Sequence, residues 1–187
     1  SWYLYEYLWP NNRFPDYPKL GVWTDGYYIT TNDFNATVSA YMGVTVGAFD
    51  RDKMLQGLPA GFIYFQTGPN RDYSVLPVDL DGITPPPVGA PGLIAQFQDK
   101  TWIGTANDQI WLTELVLDWA NPGNSTFGIG ATFEPNYAIN ITDVSENCGS
   151  RDCVPQGPSA QKVDDIDFRL MHRAAYRNLG SSQAVVA

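Results

Sequence analysis

Cysteine, histidine and positive charge are scarce in this chain of 187 residues. Two cysteines and one histidine are too few for the multi-ligand centres that hold zinc and other transition metals. Eleven Lys and Arg residues stand against twenty Asp and Glu residues, which gives a net charge of −9. A surface of this charge repels phosphate backbones and anionic lipids, so we expect no nucleic-acid partner.

Long apolar runs are also missing. None reaches the length needed to cross a bilayer, so we expect no membrane insertion. A Gly-x-Ser-x-Gly elbow, a phosphate-binding glycine loop and a dinucleotide fingerprint are all absent, and no nucleotide cofactor is implied. The chain has neither an initiator Met nor a signal peptide, which predicts a processed or incomplete piece of a longer chain; a self-contained domain is the alternative.

Aromatic residues, glycine and proline are plentiful, and they favour short strands joined by turns. Aromatics make up 14% of the residues, with 17 Gly and 14 Pro. The stretch Tyr17 to Trp23 predicts a strand, Thr24-Asp25-Gly26 a turn, and Tyr27 to Phe34 the partner strand. Further strands are predicted at 43–49, 61–67, 93–98, 109–119, 126–134 and 137–141, with helical turns at 50–57, a loop-rich stretch at 68–92 and strands at both termini.

These strands predict an all-β fold built from β-propeller-type blades. Four short antiparallel strands in succession are the size of one blade. We therefore predict a single propeller-type domain or fragment over 1–187, with approximate units 14–67, 68–141 and 142–187. The segment 162–178 alternates as a strand would and also repeats apolar residues at helical spacing; the strand is favoured because it places three Arg on one side.

Two features predict a secreted, extracellular protein. Cys148 and Cys153 have a spacing that a disulfide can close, and two free thiols are the alternative. Asn35, Asn124 and Asn140 each begin a glycosylation sequon in polar, turn-like surroundings. We therefore expect a glycoprotein with one disulfide bond.

Several long runs also resemble, in the same order, a group of large secreted microbial proteins thought to be β-propellers. The runs are FPDYPKLGVWTDGYYITTNDF, AFDRDKML, LPVDLDGITPPPVGAPG, LVLDWANPGNSTF and VPQGPSAQKVDDIDFRLMHRAAYRN. The resemblance implies a propeller fold and a region extending beyond both ends of this chain. Because the group has no established activity, it brings no catalytic assignment. The chain departs from the group's pattern at Phe168, where an acidic residue is expected.

In a propeller, strands that line the central channel can bring distant side chains together at its mouth. Asp16 and Asp164 stand near the start of two candidate inner strands, where paired carboxylates could act as acid and base, or as acid and nucleophile, in glycoside hydrolysis. Asp16, which precedes a Tyr-Pro strand, is also well placed as an ordinary turn cap. Arg169 and Arg173 could bind sugar carboxylates, although pairing with a nearby Asp is the alternative. Trp102 could stack on a sugar if exposed, or pack in the core.

The remaining candidates are weaker. Asp79 and Asp81 could offer oxygens to a structural calcium ion, but the EF-hand pattern is not met and a turn with Asx hydrogen bonds is the default. Beyond that calcium we expect no cofactor. His172 is read as a half-buried strand residue rather than a catalyst.

Three functions follow from these expectations. The first is an extracellular recognition or structural module, with carbohydrate binding as its expected activity. The second is a glycan-cleaving enzyme that uses Asp16 and Asp164. The third is a glycoprotein subunit of an extracellular assembly, in which another copy supplies a strand. The expected partners are therefore glycans or a second copy.

Overall fold

The computed structural model describes residues 2–145, 148, 152–166 and 168–187. Its strands are β1 (Arg13–Val22), β2 (Tyr27–Asn35), β3 (Tyr41–Phe49), β4 (Phe62–Gln66), β5 (Leu76–Asp81), β6 (Gly92–Gln98), β7 (Gln109–Val116), β8 (Thr126–Phe127), β9 (Tyr137–Asn140), β10 (Asp152–Pro155), β11 (Lys162–Asp164), β12 (Ala174–Asn178) and β13 (Gln183–Val186). The helices are α1 (Arg51–Gln56) and α2 (Lys100–Ile103), with 3-10 turns at Pro10–Asn12 and Pro122–Asn124. The all-β prediction is confirmed.

The first sheet is an antiparallel meander in the order β1-β2-β3-β4. Its opening hairpin closes where the Trp23 amide donates to the carbonyl of Gly26 at 3.0 Å. Between β3 and β4, Asp50 caps α1 by accepting from the Lys53 amide at 3.2 Å, and Gly57 ends the helix in the left-handed region at φ 71°. The predicted hairpin and the predicted helical turns are both confirmed.

The second sheet divides at β5. Leu76 and Pro77 pair antiparallel with β6, whereas Val78 to Asp81 pair in parallel with β12. We call β6 to β9 the long branch and β12 with β13 the short branch. β7 pairs with β6, β8 and β9, and β13 pairs with β12. The hairpin of β10 and β11 forms a separate two-stranded sheet.

The two sheets share one apolar core. One face of the long branch packs on the first sheet: Phe127 lies 6.0 Å from Phe65, centroid to centroid, and the buried Tyr28 ring lies against Gly92. The Thr30 hydroxyl donates to the Val75 carbonyl at 2.7 Å. Along β6, β7 and β9 the side chains alternate between the two faces of the long branch. Those on the face away from the first sheet point toward the short branch. Among the described residues the sheets form no closed ring, so the propeller arrangement and its three units stay predictions.

The N-terminal segment, residues 2–9, is not the strand that its composition predicts. It lies over the outer face of the first sheet, where the Tyr7 ring is 4.5 Å from Phe49 and the Trp9 ring is 5.6 Å from Phe62. The Tyr5 hydroxyl donates to the Leu58 carbonyl at 3.0 Å. Because the segment packs on a face rather than beside an edge, its backbone joins no ladder.

Four further predictions need correction. The loop-rich stretch 68–92 contains β5, in which Pro77 fits because Gly21 of β1 leaves room beside it. The predicted strand 126–134 ends at Phe127, where positive φ at Gly128 and Gly130 turns the chain.

The segment 162–178 is neither one strand nor a helix. The segment contains two strands, β11 and β12. Between these strands Ile166 and Phe168 both have left-handed backbone, at φ 58°, which interrupts the extended conformation. His172 is exposed and lies outside any strand, which corrects its half-buried placement. Within the described ranges, no helix has the length and hydropathy needed to cross a membrane.

Candidate functional site

The most exposed tryptophan outside the N-terminal segment is held in a cluster of three rings. Trp102 lies on α2, which Asp99 caps by accepting from the Thr101 amide at 2.6 Å. The Trp102 ring is 54% exposed and meets Phe97 and Phe168 edge-on at centroid distances of 6.5 and 5.6 Å. Phe97 and Phe168 stack at 5.8 Å. We call Phe97, Trp102 and Phe168 the aromatic platform.

Arg169 follows directly after the platform. Its guanidinium lies 4.7 Å from the centroid of Tyr73, a cation–π contact. The Nε atom of Arg169 is buried and has no hydrogen-bond partner among the described residues. Phe168, whose ring contacts Trp102, directly precedes Arg169 in the chain.

Arg173, the other arginine predicted to bind a sugar carboxylate, is paired with acidic side chains of β5. Arg173 pairs with Asp79, and Arg177 pairs with Asp81 at 3.0 Å across the parallel contact of β12 with β5. Asp79 also accepts from the Val22 amide at 2.8 Å. The hydrogen bond from Arg177 holds the pKa of Asp81 below its usual range. A calcium ion at Asp79 and Asp81 would have to displace these guanidinium groups, and the calcium site stays a prediction.

Asp16 and Asp164 lie on different sheets. Asp16 is exposed on β1, opposite Asn32 and beside an irregularity in the strand pairing. Asp164 ends β11 opposite Asp152, and its carboxylate accepts from the Ile166 amide at 2.8 Å. β1 belongs to the first sheet and β11 to the two-stranded sheet, and the action of the two predicted catalytic residues as a pair stays a prediction.

A buried carboxylate that the sequence did not single out ties the N-terminus to the first sheet. Asp33 is fully buried. It accepts from Trp9 Nε1 at 3.2 Å and pairs with Arg13 at 3.4 Å. Hydroxyl and amide groups complete the shell, from Thr31 at 2.6 Å, from Thr45, and from Gln66 at 3.4 Å. A carboxylate this enclosed is a structural anchor.

Asp72 is another buried carboxylate. Its side chain is 8% exposed, and Oδ2 has no hydrogen-bond partner within the part of the chain that the structure describes. Arg71 Nε lies 3.6 Å from the other oxygen, but Arg71 also pairs with Glu134 at 3.0 Å. Burial raises the pKa of Asp72, and Arg71 only partly opposes this effect.

We expect Asp72→Asn to raise the melting temperature at pH 7 and to change it least near pH 4. A carboxyl whose pKa is higher in the folded state stabilises the fold at low pH, and that stability is lost as pH rises through the folded value. Thermal melts of both proteins across this range test the expectation. Asp52→Asn, at a side chain that is 77% exposed, is the matched control. The expectation would be contradicted if the melting temperature of the variant, minus that of the parent, were lower at pH 7 than at pH 4.

A cavity of about 310 Å³ lies between the two branches, and we call it the inter-branch cavity. Its polar atoms are satisfied internally: Trp23 Nε1 donates to the Ala90 carbonyl at 3.2 Å, the Tyr176 hydroxyl to Gln183 at 2.7 Å, and the Tyr137 hydroxyl to Glu114 at 3.1 Å. The remaining walls are apolar and include Leu93, Leu112, Ile139 and Val185. The cavity can therefore take apolar groups.

Cys148 and Cys153 form the predicted disulfide. The Asp165 carboxylate lies 3.3 Å from the Cys153 sulfur, and these three groups are close enough to share an ion. Both sulfur atoms are bonded to each other, however, so neither can act as a thiolate ligand.

The three sequons differ in accessibility. Asn124 and Asn140 are exposed, whereas Asn35 is partly buried in a turn in which its side-chain oxygen Oδ1 accepts from the Ser39 amide at 2.8 Å. Their glycosylation stays a prediction.

No protein-family model, curated protein or solved structure shows a significant match to this chain. The resemblance to large secreted microbial proteins therefore stays a prediction.

Proposed function

We propose that the protein is an extracellular recognition module that binds carbohydrate on the aromatic platform. The observation that carries this proposal is the half-exposed Trp102 ring, whose orientation is set by edge-on contacts with Phe97 and Phe168. Aromatic rings with one free face offer apolar area at low entropic cost, which suits the C–H faces of sugar rings.

Arg169 favours an acidic sugar as the ligand. It stands next to Phe168, and its contact with the Tyr73 ring limits its movement. The terminal nitrogens of a guanidinium form charge-assisted hydrogen bonds with carboxylates. Because the chain carries a net charge of −9, recognition of an anion must depend on this local cation rather than on long-range attraction.

The disulfide and the exposed sequons support an extracellular setting. Disulfides persist in oxidising compartments, and glycans are added to accessible Asn side chains of secreted proteins. In that setting a module with a rigid β framework would present the platform to glycans.

We expect Trp102→Ala to weaken binding of oligogalacturonate about tenfold or more, because the variant loses a stacking surface worth about 1.4 kcal/mol or more. Isothermal titration calorimetry with oligogalacturonate and with its neutral methyl ester separates the contribution of ring stacking from that of the ligand's charge. Arg169→Gln should remove the preference for the acidic form and leave binding of the ester unchanged.

Phe14→Ala is the matched control, since Phe14 is an aromatic on β1 that is 46% exposed and lies outside the platform. This variant should bind like the parent protein. Equal losses in the Phe14 and Trp102 variants, or no binding by the parent at millimolar ligand, would rule the proposal out.

A further inference from the structure

The inter-branch cavity is open to solvent along β9. Tyr137 and Ile139 of β9 are 52% and 47% exposed, whereas Trp23 and Tyr176, which also line the cavity, are 1% and 4% exposed. A ligand can therefore enter over β9 and reach the closed end at Trp23 and Tyr176. The volume of about 310 Å³ is at the lower end of the range for small-molecule sites, about 300–1,000 Å³. We expect a small ligand rather than a peptide.

One carboxylate lies in the otherwise uncharged wall of this cavity. Glu114 is partly buried, and it is the single charged residue among the described residues that line the cavity. It accepts from Asn136 Nδ2 at 3.2 Å and from the Tyr137 hydroxyl at 3.1 Å. Both donors are neutral, and no Lys or Arg of the described ranges pairs with Glu114, so its negative charge is not neutralised. Beside apolar walls, such a carboxylate favours a cationic ligand over a neutral or anionic one.

Three aromatic rings line the same cavity, those of Trp23, Tyr137 and Tyr176. Trp23 and Tyr176 meet edge-on at a centroid distance of 5.2 Å. The hydrogen bond from Tyr137 to Glu114 holds the Tyr137 ring beside the carboxylate at the mouth. Because the faces of aromatic rings carry partial negative charge, they attract cations, and the rings and the carboxylate favour the same kind of ligand.

We propose that the inter-branch cavity binds a small organic ammonium ion with an apolar body. The ammonium group donates to the Glu114 carboxylate beside the Tyr137 ring, and the apolar body enters between the two branches. The net charge of −9 raises the concentration of cations near the protein. This site is independent of the proposed function, since neither Trp102 nor Arg169 is among the described residues that line the cavity.

Nuclear magnetic resonance titrations with three probes of nearly equal size test the proposal. Phenethylammonium is the cation, 2-phenylethanol is its neutral counterpart, and phenylacetate is the anion. The parent protein should bind the cation at least about tenfold more tightly than the alcohol, and it should bind the anion most weakly. The amide signals that shift should be those of residues that line the cavity, such as Leu112, Ile139 and Val185.

Glu114→Gln keeps the shape of the side chain and removes its charge. This variant should bind phenethylammonium about tenfold more weakly than the parent does and should bind 2-phenylethanol as the parent does. Glu6→Gln is the matched control, because it changes the net charge equally at an exposed residue outside the cavity. The control should bind all three probes like the parent.

Tyr137→Leu is a second variant, at a half-exposed residue where loss of the ring should leave the fold intact. It should lower the preference for the cation over the alcohol about threefold. Circular dichroism melts establish that each variant is folded. If Glu114→Gln fails to fold, the comparison of Tyr137→Leu with the parent takes its place.

Four results would overturn the proposal. The parent might bind the cation and the alcohol equally, or leave phenethylammonium unbound at about 10 mM. Glu114→Gln and Glu6→Gln might lose the same affinity for the cation, which would mean that net charge alone acts. Tyr137→Leu might keep the full preference of the parent for the cation.

Discussion

Asp33→Ala should lower the free energy of unfolding by about 3–5 kcal/mol, a large share of the total stability of a domain this size. The variant would leave Arg13 without its charge partner and strip Trp9 of its acceptor. Thr31 and Thr45 would also lose the carboxylate to which they donate. Buried donors without acceptors cost far more than the hydrogen bonds contribute in net terms.

Urea denaturation, followed by tryptophan fluorescence, measures this loss. Asp52→Ala provides the control, since Asp52 is 77% exposed and lies 3.8 Å from its partner Arg51, and it should change stability by less than about 0.5 kcal/mol. Asp33→Asn, which keeps the shape and removes the charge, should fall between the two. A loss below about 1 kcal/mol for Asp33→Ala would show that Asp33 is not the anchor of the N-terminal segment.

Gly92→Ala should cost about 2–3 kcal/mol or prevent folding. A Cβ at this position would overlap the Tyr28 ring, and Tyr28 is fully buried between the two sheets. The ring cannot move away easily, because its hydroxyl donates to Asp25 at 2.8 Å. Accommodation would therefore require the first sheet and the long branch to separate slightly.

Thermal melts of Gly92→Ala and Gly123→Ala make a matched comparison. A Cβ at Gly123 meets no atom within 4 Å, and its backbone needs no positive φ. The Gly123 variant should keep the parent's melting temperature or exceed it slightly. Similar melting temperatures for both variants would mean that the contact between Tyr28 and β6 tolerates an extra methyl group.

The parts of the fold that could be predicted are those set by neighbouring residues. The hairpin around Gly26 and the helix capped by Asp50 and Gly57 depend on turn and cap residues that a sequence displays directly. The parallel pairing of β5 with β12 depends on strands far apart in the chain, and Pro77 made β5 look like a loop. Left-handed backbone at Ile166 and Phe168 has no signal in residue type, so the break in 162–178 was not foreseen.

The candidate site was also predictable only in part. Trp102 and Arg169 could be nominated from their chemistry, but the rings that contact them, Phe168 and Tyr73 respectively, lie far from their partners in the chain and were not predicted as neighbours. The environment of Asp33 was not predictable, because its donors come from the N-terminal segment and from all four strands of the first sheet, and no spacing rule unites Trp9 with Gln66. Residue type suggests which side chains can bind a ligand. Only the packing of distant segments shows whether such a side chain already has a partner within the protein.

The division of the second sheet at β5 also constrains the order of folding. Asp81 and Arg177 meet across 96 residues, so their contact forms only after a long loop has closed, whereas the meander of the first sheet needs only local closures. During synthesis, the last four residues of β5, Val78 to Asp81, therefore have an unpaired edge until β12 is made, and such an edge favours aggregation. Asp79 and Asp81 lie on this part of β5, and their charges would keep it from pairing with other chains until β12 has been synthesised.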